Sequence, residues 1–224
     1  VALMVGVSCL TLLFGVTTAW VVAAYQFRFS KLLDMVILLP IACPAYLVAY
    51  AYTDFFEYAG PVQGALRDMM GWKTARDYYF PEIRSLGGAI FVLSSVLYPY
   101  VYLLSRTAFR HIPSSFYEVA AISNRNVFWN ICLPLARPAI VAGLALVCME
   151  VVSDFGTVEF FSLETLTLGI FNVWIGMNNI TAAAQISTFT FIFIILLLLT
   201  EMYSRSRKRF NDTSRKQTVA KPKI

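Results

Sequence analysis

The sequence predicts an all-α, polytopic membrane protein with five transmembrane helices. Three observations carry that expectation. Hydrophobic residues make up 58% of the chain and charged residues only 14%, with a mean hydropathy of +0.67, whereas soluble domains carry about a quarter charged residues. The apolar residues fall in long continuous blocks, and five of these reach the roughly 20 residues that a helix needs to cross a bilayer core. The runs are also too long and too uniform for barrel strands, which are about 10 residues of alternating polarity. Helices satisfy their backbone groups within one segment, as lipid demands.

The first block, Ala2–Tyr25, has no charge before Arg28 and no basic segment ahead of it. It reads as a span and not as a signal peptide. The second, Met35–Phe56, contains Pro40 and Pro44, and the third, Leu86–Ser105, contains Pro99. Each proline removes a backbone donor and is expected to kink its helix. Such bends are tolerated in membranes where neighbours or water satisfy the freed carbonyls, so Pro44 and Pro99 are candidates for lining a path. The fourth block, Ala139–Val158, carries Glu150 and Asp154. Their spacing of four places them on one helix face, and carboxylates within a span face a cavity or a partner. They are the second pair of path candidates. Leu166–Met177 is apolar but too short to cross, which predicts an interfacial or re-entrant helix with Trp174 at the interface. The fifth block is Ala182–Thr200.

Charge fixes the orientation. Arg28 and Lys31, then Arg106, Arg110, Arg125 and Arg137, and the tail after Thr200 hold 14 of the 18 Lys and Arg on one side. The positive-inside rule puts that side in the cytoplasm, with the N-terminus outside and the tail inside. The outer segment Gly60–Ser85 mixes charges with Trp72, Tyr78, Tyr79 and Phe80 and is expected to dock something outside the membrane. The basic run Arg205–Arg209 follows a span directly and reads as an anchor beside anionic lipid, with no nucleic-acid role. Cys9, Cys43, Cys132 and Cys148 lack metal or redox spacing and read as free thiols.

One polar segment stands between the third and fourth blocks. It reads Ser115-Phe116-Tyr117-Glu118-Val119-Ala120-Ala121, continues through Asn124 and Trp129, and closes on Leu133-Pro134-Leu135-Ala136-Arg137-Pro138. This Glu-x-Ala-Ala helix start with Leu-Pro before the next span resembles the coupling loop of ABC-importer permeases. The run Met149-Glu150 to Val158, the Leu39-Pro40 and Pro44-Ala45-Tyr46 pairings, and Thr167–Phe171 are similar to the permeases of bacterial ferric-iron importers. That family places Gly six residues after the Glu. Here Asn124 stands there, the next-best residue for a left-handed turn.

The resemblance implies a type I ABC-importer permease module over residues 1–203, with a coupling loop at 107–137 and a basic tail or inter-module linker at 204–224. It implies that the chain is a first module lacking its opening span. Tyr117, Glu118, Ala120, Ala121, Asn124, Leu133 and Pro134 are then the residues that contact separate ATP-binding cassette ATPase subunits. The other implied partners are a periplasmic substrate-binding protein, membrane lipid and a second permease module, on the same polypeptide or in a homodimer. The chain would sit in the bacterial inner membrane as a translocation subunit, not an enzyme. It would bind no metal or other cofactor itself, with ATP held by the partner. No Gly-x-x-x-x-Gly-Lys-Ser/Thr run is present.

The implied cargo is ferric iron, with thiamine, polyamine and phosphonate permeases as related alternatives. A secondary transporter or channel using Glu150 and Asp154 as a relay is the competing class, and it leaves the Glu118–Pro138 segment unexplained. A membrane enzyme would need an acid–base or metal set, and His111 is the only histidine.

The orientation is testable with single cysteines in a background lacking the native four. A thiol at Trp72 is expected to react with an impermeant maleimide on intact cells, and a thiol at Arg207 only after lysis.

Overall fold

The computed structural model describes residues 1–25, 28–113, 115–117 and 126–206, with the side chains of 197 and 200–206 left aside. Among these residues the structure is helical, with no strand. The core is a trio of long helices. α1 (Ala2–Ala24) and α5 (Leu86–Arg110) run parallel, and α6 (Leu133–Ser153) runs against them. Between α1 and α5 in sequence lie α2 (Ser30–Leu38), α3 (Ala45–Phe56) and α4 (Pro61–Met70). After α6 come α7 (Gly156–Phe160), α8 (Leu166–Phe171) and α9 (Ile180–Ser206).

Small residues set the trio's spacing. An added Cβ at Gly15 would stand 2.7 Å from Val101 Cβ, and one at Gly143 would stand 2.9 Å from Val101 Cα. Val101 is therefore gripped from both sides and is wholly buried. Lipid offers no hydrophobic drive for helix association, so close backbone approach of this kind supplies the packing. Threonine hydroxyls within the spans donate back to their own helix, as Thr11 does to the Ser8 carbonyl at 3.1 Å. Pro99 does not interrupt α5. It is fully buried, and the helix continues to Arg110.

The helix count differs from expectation in instructive ways. Ala2–Ala24, Leu86–Arg110 and Phe128–Ser153 are each long and apolar enough to cross a membrane. The expected single span Met35–Phe56 is instead broken, because Ser30–Ala42 and Ala45–Met70 meet at 99°. The cause is two prolines in five residues. Leu39–Ala42 tightens into one 3₁₀ turn, and Cys43 takes an extended conformation ahead of Pro44, as pre-proline residues do. The expected fourth span, Ala139–Val158, is shifted. Its helix starts at Phe128 and ends at Ser153. The expected fifth falls within α9, a helix of 27 residues whose described side chains form an apolar stretch over Ile180–Leu196. The short Leu166–Met177 helix is present as α8 continuing to Gly176. Residues 207–224, and with them most of the expected tail, lie outside the described residues.

A buried ion pair ties α2 to the C-terminal part of α5. Arg106 donates to Asp34, and the Tyr102 hydroxyl donates to the other oxygen of the same carboxylate. Both charged side chains are under one-fifth exposed. One turn on, the Tyr98 hydroxyl donates to the Ile37 carbonyl at 3.1 Å, just ahead of the break. Removing one partner of such a pair strands the other charge in the interior. Arg106→Ala is therefore expected to destabilise the protein by about 3–5 kcal/mol. The joint change Asp34→Asn with Arg106→Gln should recover part of the loss. Thermal unfolding in detergent measures both.

Candidate functional site

The sequence singles out two regions: the crossover from α5 to α6, and the level at which the helices break. The crossover leaves α5 at Arg110, with the His111 N–H closing the last turn. Of its candidate residues, Tyr117, Leu133 and Pro134 are described, whereas Glu118, Ala120, Ala121 and Asn124 lie outside the described residues. Tyr117 is anchored, its hydroxyl lying 3.8 Å from the Cys132 thiol. Burial pushes the Tyr117 phenol above its ordinary value, so it stays protonated.

The return to helix begins at Asn126, which no sequence argument identified. Its side-chain oxygen accepts from the Phe128 N–H at 3.0 Å and from the Trp129 N–H at 3.4 Å, which is the chemistry of an N-cap. Leu133-Pro134 do not close a loop ahead of the span. They lie inside a helix already under way at Phe128. The turn Phe128–Cys132 is wound wide, with the Leu133 N–H bonded to the Phe128 carbonyl five residues back. Such a turn accommodates a proline without ending the helix.

In the membrane, two breaks abut. α6 ends at Ser153, and Asp154 turns extended. The Asp154 carboxylate accepts from the Val158 N–H at 3.1 Å and the Thr157 hydroxyl at 3.0 Å, and so caps α7. The Thr167 hydroxyl donates to the Val152 carbonyl at 2.6 Å, which satisfies one acceptor at the end of α6. Gly156 lies against Tyr46, two residues beyond Pro44, where an added Cβ would stand 3.3 Å from Tyr46 Cβ. The break at Pro44 and the break at Asp154 are thereby brought together. Tyr46 and Tyr50 both pack on Phe160 of α7.

The four path candidates are not equivalent in this arrangement. Pro44 is exposed and Pro99 is buried in the core trio. Glu150 and Asp154 are close in sequence, but the helix ends between them and their carboxylates face different groups. Asp154 is committed to α7. Glu150 is exposed on the surface of the chain, beside the Tyr100 phenol of α5.

Outside this level, the segment after α3 is folded and well tied. Pro61 opens α4, and Gly71, with φ +72°, closes it in the left-handed conformation that favours glycine. The Gln63 amide donates to the Phe56 carbonyl at 2.7 Å and accepts from the Tyr78 hydroxyl at 2.6 Å. Tyr78 stacks on Trp72 at 4.8 Å. The backbone N–H groups of Thr74 and Lys73 hold the Asp77 carboxyl below the usual range. An open cleft of about 500 Å³ lies between Phe56–Tyr58 and Tyr78–Arg84. Tyr79 lines it at 91% exposure, and Met69 near the end of α4 is also exposed.

Residues 12–209 match the family described as binding-protein-dependent transport system inner membrane component. The chain is similar to a putative 2-aminoethylphosphonate transport system permease protein of Salmonella paratyphi A, with 27% identity over 79% of this chain and 62% of that protein. It is similar to a probable sulfate transport system permease protein of Chlorokybus atmophyticus, with 28% identity over 65% of this chain and 49% of that protein. It is also similar to a ferric-iron transport system permease protein of Haemophilus influenzae, with 24% identity over 81% of this chain and 32% of that protein. The chain thus spans less than two thirds of the length of these curated relatives.

A carboxylate on a span's outer surface is costly if it meets lipid. Glu150 is therefore expected to meet water. In membranes of expressing cells, Glu150→Cys should react with a charged methanethiosulfonate, whereas Leu196→Cys, on the exposed apolar face of α9, should not. Equal inertness of both would place Glu150 against lipid or a sealed contact.

Proposed function

The chain belongs to the family of binding-protein-dependent transport system inner membrane components, and from that premise we propose that it is the translocating module of an ATP-driven importer. A binding protein outside the membrane delivers the substrate, and a separate ATPase subunit supplies the energy. The observation that carries this reading is the pairing of an anchored cytoplasmic crossover with two abutting helix breaks inside the membrane. The first offers a docking segment, and the second offers irregular backbone of the kind that lines a substrate cavity.

The roles follow from the chemistry. Tyr117, Glu118, Ala120, Ala121 and Asn124 meet the ATPase, while Leu133 and Pro134 start the helix that receives its movement. A small-residue surface at Ala120 and Ala121 suits close fit of a helix in a groove. Glu150 lines the path at the contact with a second module, on the same polypeptide or in a second copy. Asp154 and Pro44 shape the bends around that path, while Pro99 sits within the packed trio beside it. The folded outer segment with its cleft and the exposed Tyr79 and Met69 receives the binding protein. The basic tail lies in the cytoplasm beside anionic lipid and takes no part in nucleic-acid binding. The chain itself holds neither ATP nor a resident metal.

Two cargo classes are supported. Ferric iron rests on the resemblance of the Met149–Val158 and Leu39–Tyr46 motifs to ferric-iron permeases and on the Haemophilus relative. An oxyanion such as a phosphonate rests on the somewhat higher identity to the phosphonate and sulfate permeases. Uptake of labelled 2-aminoethylphosphonate, sulfate and ferric iron by membrane vesicles containing the binding protein encoded alongside separates the two.

The docking assignment has a direct test. With Ala120→Arg and Ala121→Arg together, recovery of the cognate ATPase on the tagged permease is expected to fall about tenfold or more, the effect of losing one central contact. Unchanged recovery would remove the crossover from the ATPase interface.

A further inference from the structure

Both stems of the crossover end on one ring of α1. Phe109 stands in the last turn of α5, just before the crossover, and Phe128 in the first turn after it. Trp20, near the cytoplasmic end of α1, touches both. Its ring centroid lies 5.6 Å from Phe109, edge-on at 80°, and 5.2 Å from Phe128 at 51°. Phe109 and Phe128 also meet, at 6.4 Å. Phe109 is buried, and Phe128 packs on the core. A displacement of the crossover must move one of these rings, and each presses on Trp20.

Two further features make the cluster more than a packing contact. The wide turn Phe128–Cys132 begins at the ring itself. A turn bonded five residues back holds one residue more than the α-helix does, so exchanging it for the ordinary pattern rotates Phe128 against α6 by about 100°. Exchange between the wide and the ordinary pattern would supply the two discrete arrangements that a switching element requires. Beyond Trp20, α1 is pressed on α5 at Gly15 and again at Gly6 against Ile90, and it reaches α6 where the Ser8 hydroxyl lies 3.5 Å from the Cys148 thiol. That last contact is two residues from Glu150. Movement entering at Trp20 thus has a continuous packed route to the path.

We propose that Trp20, Phe109 and Phe128 form the joint that carries displacement of the crossover into α1, with the wide turn at Phe128–Cys132 as the element that changes register. The proposal rests on the crossover being the ATPase-docking segment and deepens that reading by naming the positioning residues. The plain alternative is a tryptophan that only anchors α1 at the membrane interface. An anchor fixes the placement of α1 but does not transmit.

The test uses the full-length permease assembled with its ATPase in nanodiscs. The native cysteines are replaced, and Ser153→Cys serves as a reporter beside the path. Its reaction rate with N-ethylmaleimide is read with and without Mg-ATP and orthovanadate. With Trp20 intact, vanadate trapping is expected to change the rate. With Trp20→Ala, the complex should stay assembled and hydrolyse ATP within about twofold of the parent, while the trapping response falls about fivefold or more, a loss in the range of coupling between linked sites. Phe128→Ala should do the same, and Trp20→Phe, which keeps an aromatic edge, should retain most of the response. A full response in Trp20→Ala overturns the joint. So does equal loss of ATPase association in Trp20→Ala and Trp20→Phe, which marks an anchor. A parent with Trp20 intact that fails to hold the ATPase at all overturns the functional reading instead.

Discussion

The grip of Gly15 and Gly143 on Val101 is the constraint on which the rest of the structure depends. It brings α1 and α6 each onto α5 at backbone distance, where a single added methyl on either glycine would collide, and the two also touch one another where Ser8 meets Cys148. In lipid this close approach replaces the hydrophobic drive that holds a soluble core. The three helices become one body, and the other elements are arranged relative to it. α2 is fastened by the Asp34–Arg106 pair and the Tyr102 hydroxyl. α3 and α7 pack on one another through Tyr46, Tyr50 and Phe160. The result is a closely packed trio flanked by broken helices.

Breaking a helix inside a membrane exposes backbone groups that lipid cannot satisfy. The protein meets that demand with side chains from neighbouring elements. The Tyr98 hydroxyl serves the Ile37 carbonyl, the Thr167 hydroxyl serves the Val152 carbonyl, and Asp154 serves the Val158 N–H. These are local polar contacts made by residues that hydropathy treats as interruptions in apolar runs. Irregular backbone is tolerated where other protein or water covers it, and Tyr46 packed on Phe160 covers part of both breaks.

The fold class was legible because long apolar blocks and few charges leave helices as the economical solution. Boundaries were not, and the reasons are particular. Pro40 and Pro44 signalled a bend, but their joint effect with extended Cys43 is a 99° break, not a kink in one span. Leu133-Pro134 looked like the end of a loop because proline ends helices. The wide turn before it removes that conflict. Asn126 carried a readable cap signal ahead of Phe128 that the longer motif obscured. The Asp34–Arg106 pair had no local signal at all, since its partners are 72 residues apart. In the candidate site, Tyr117 and the two carboxylates were identifiable by type, but not what each one touches.

Glu150 and Asp154 show why residue type alone is insufficient. Spacing of four on a helix makes two carboxylates look like one feature, and a shared face would set like charges together at a cost. The structure avoids that cost by ending α6 between them. Asp154 then spends both oxygens on the Thr157 hydroxyl and the Val158 N–H, so its charge is absorbed by the start of α7. Glu150 has the Tyr100 phenol beside it and remains open on the surface of the chain. A span can carry an exposed carboxylate only where water or another protein surface replaces lipid. The asymmetry between the two residues thus assigns the structural task to Asp154. Glu150 stays exposed, where water or another protein surface is expected to meet it.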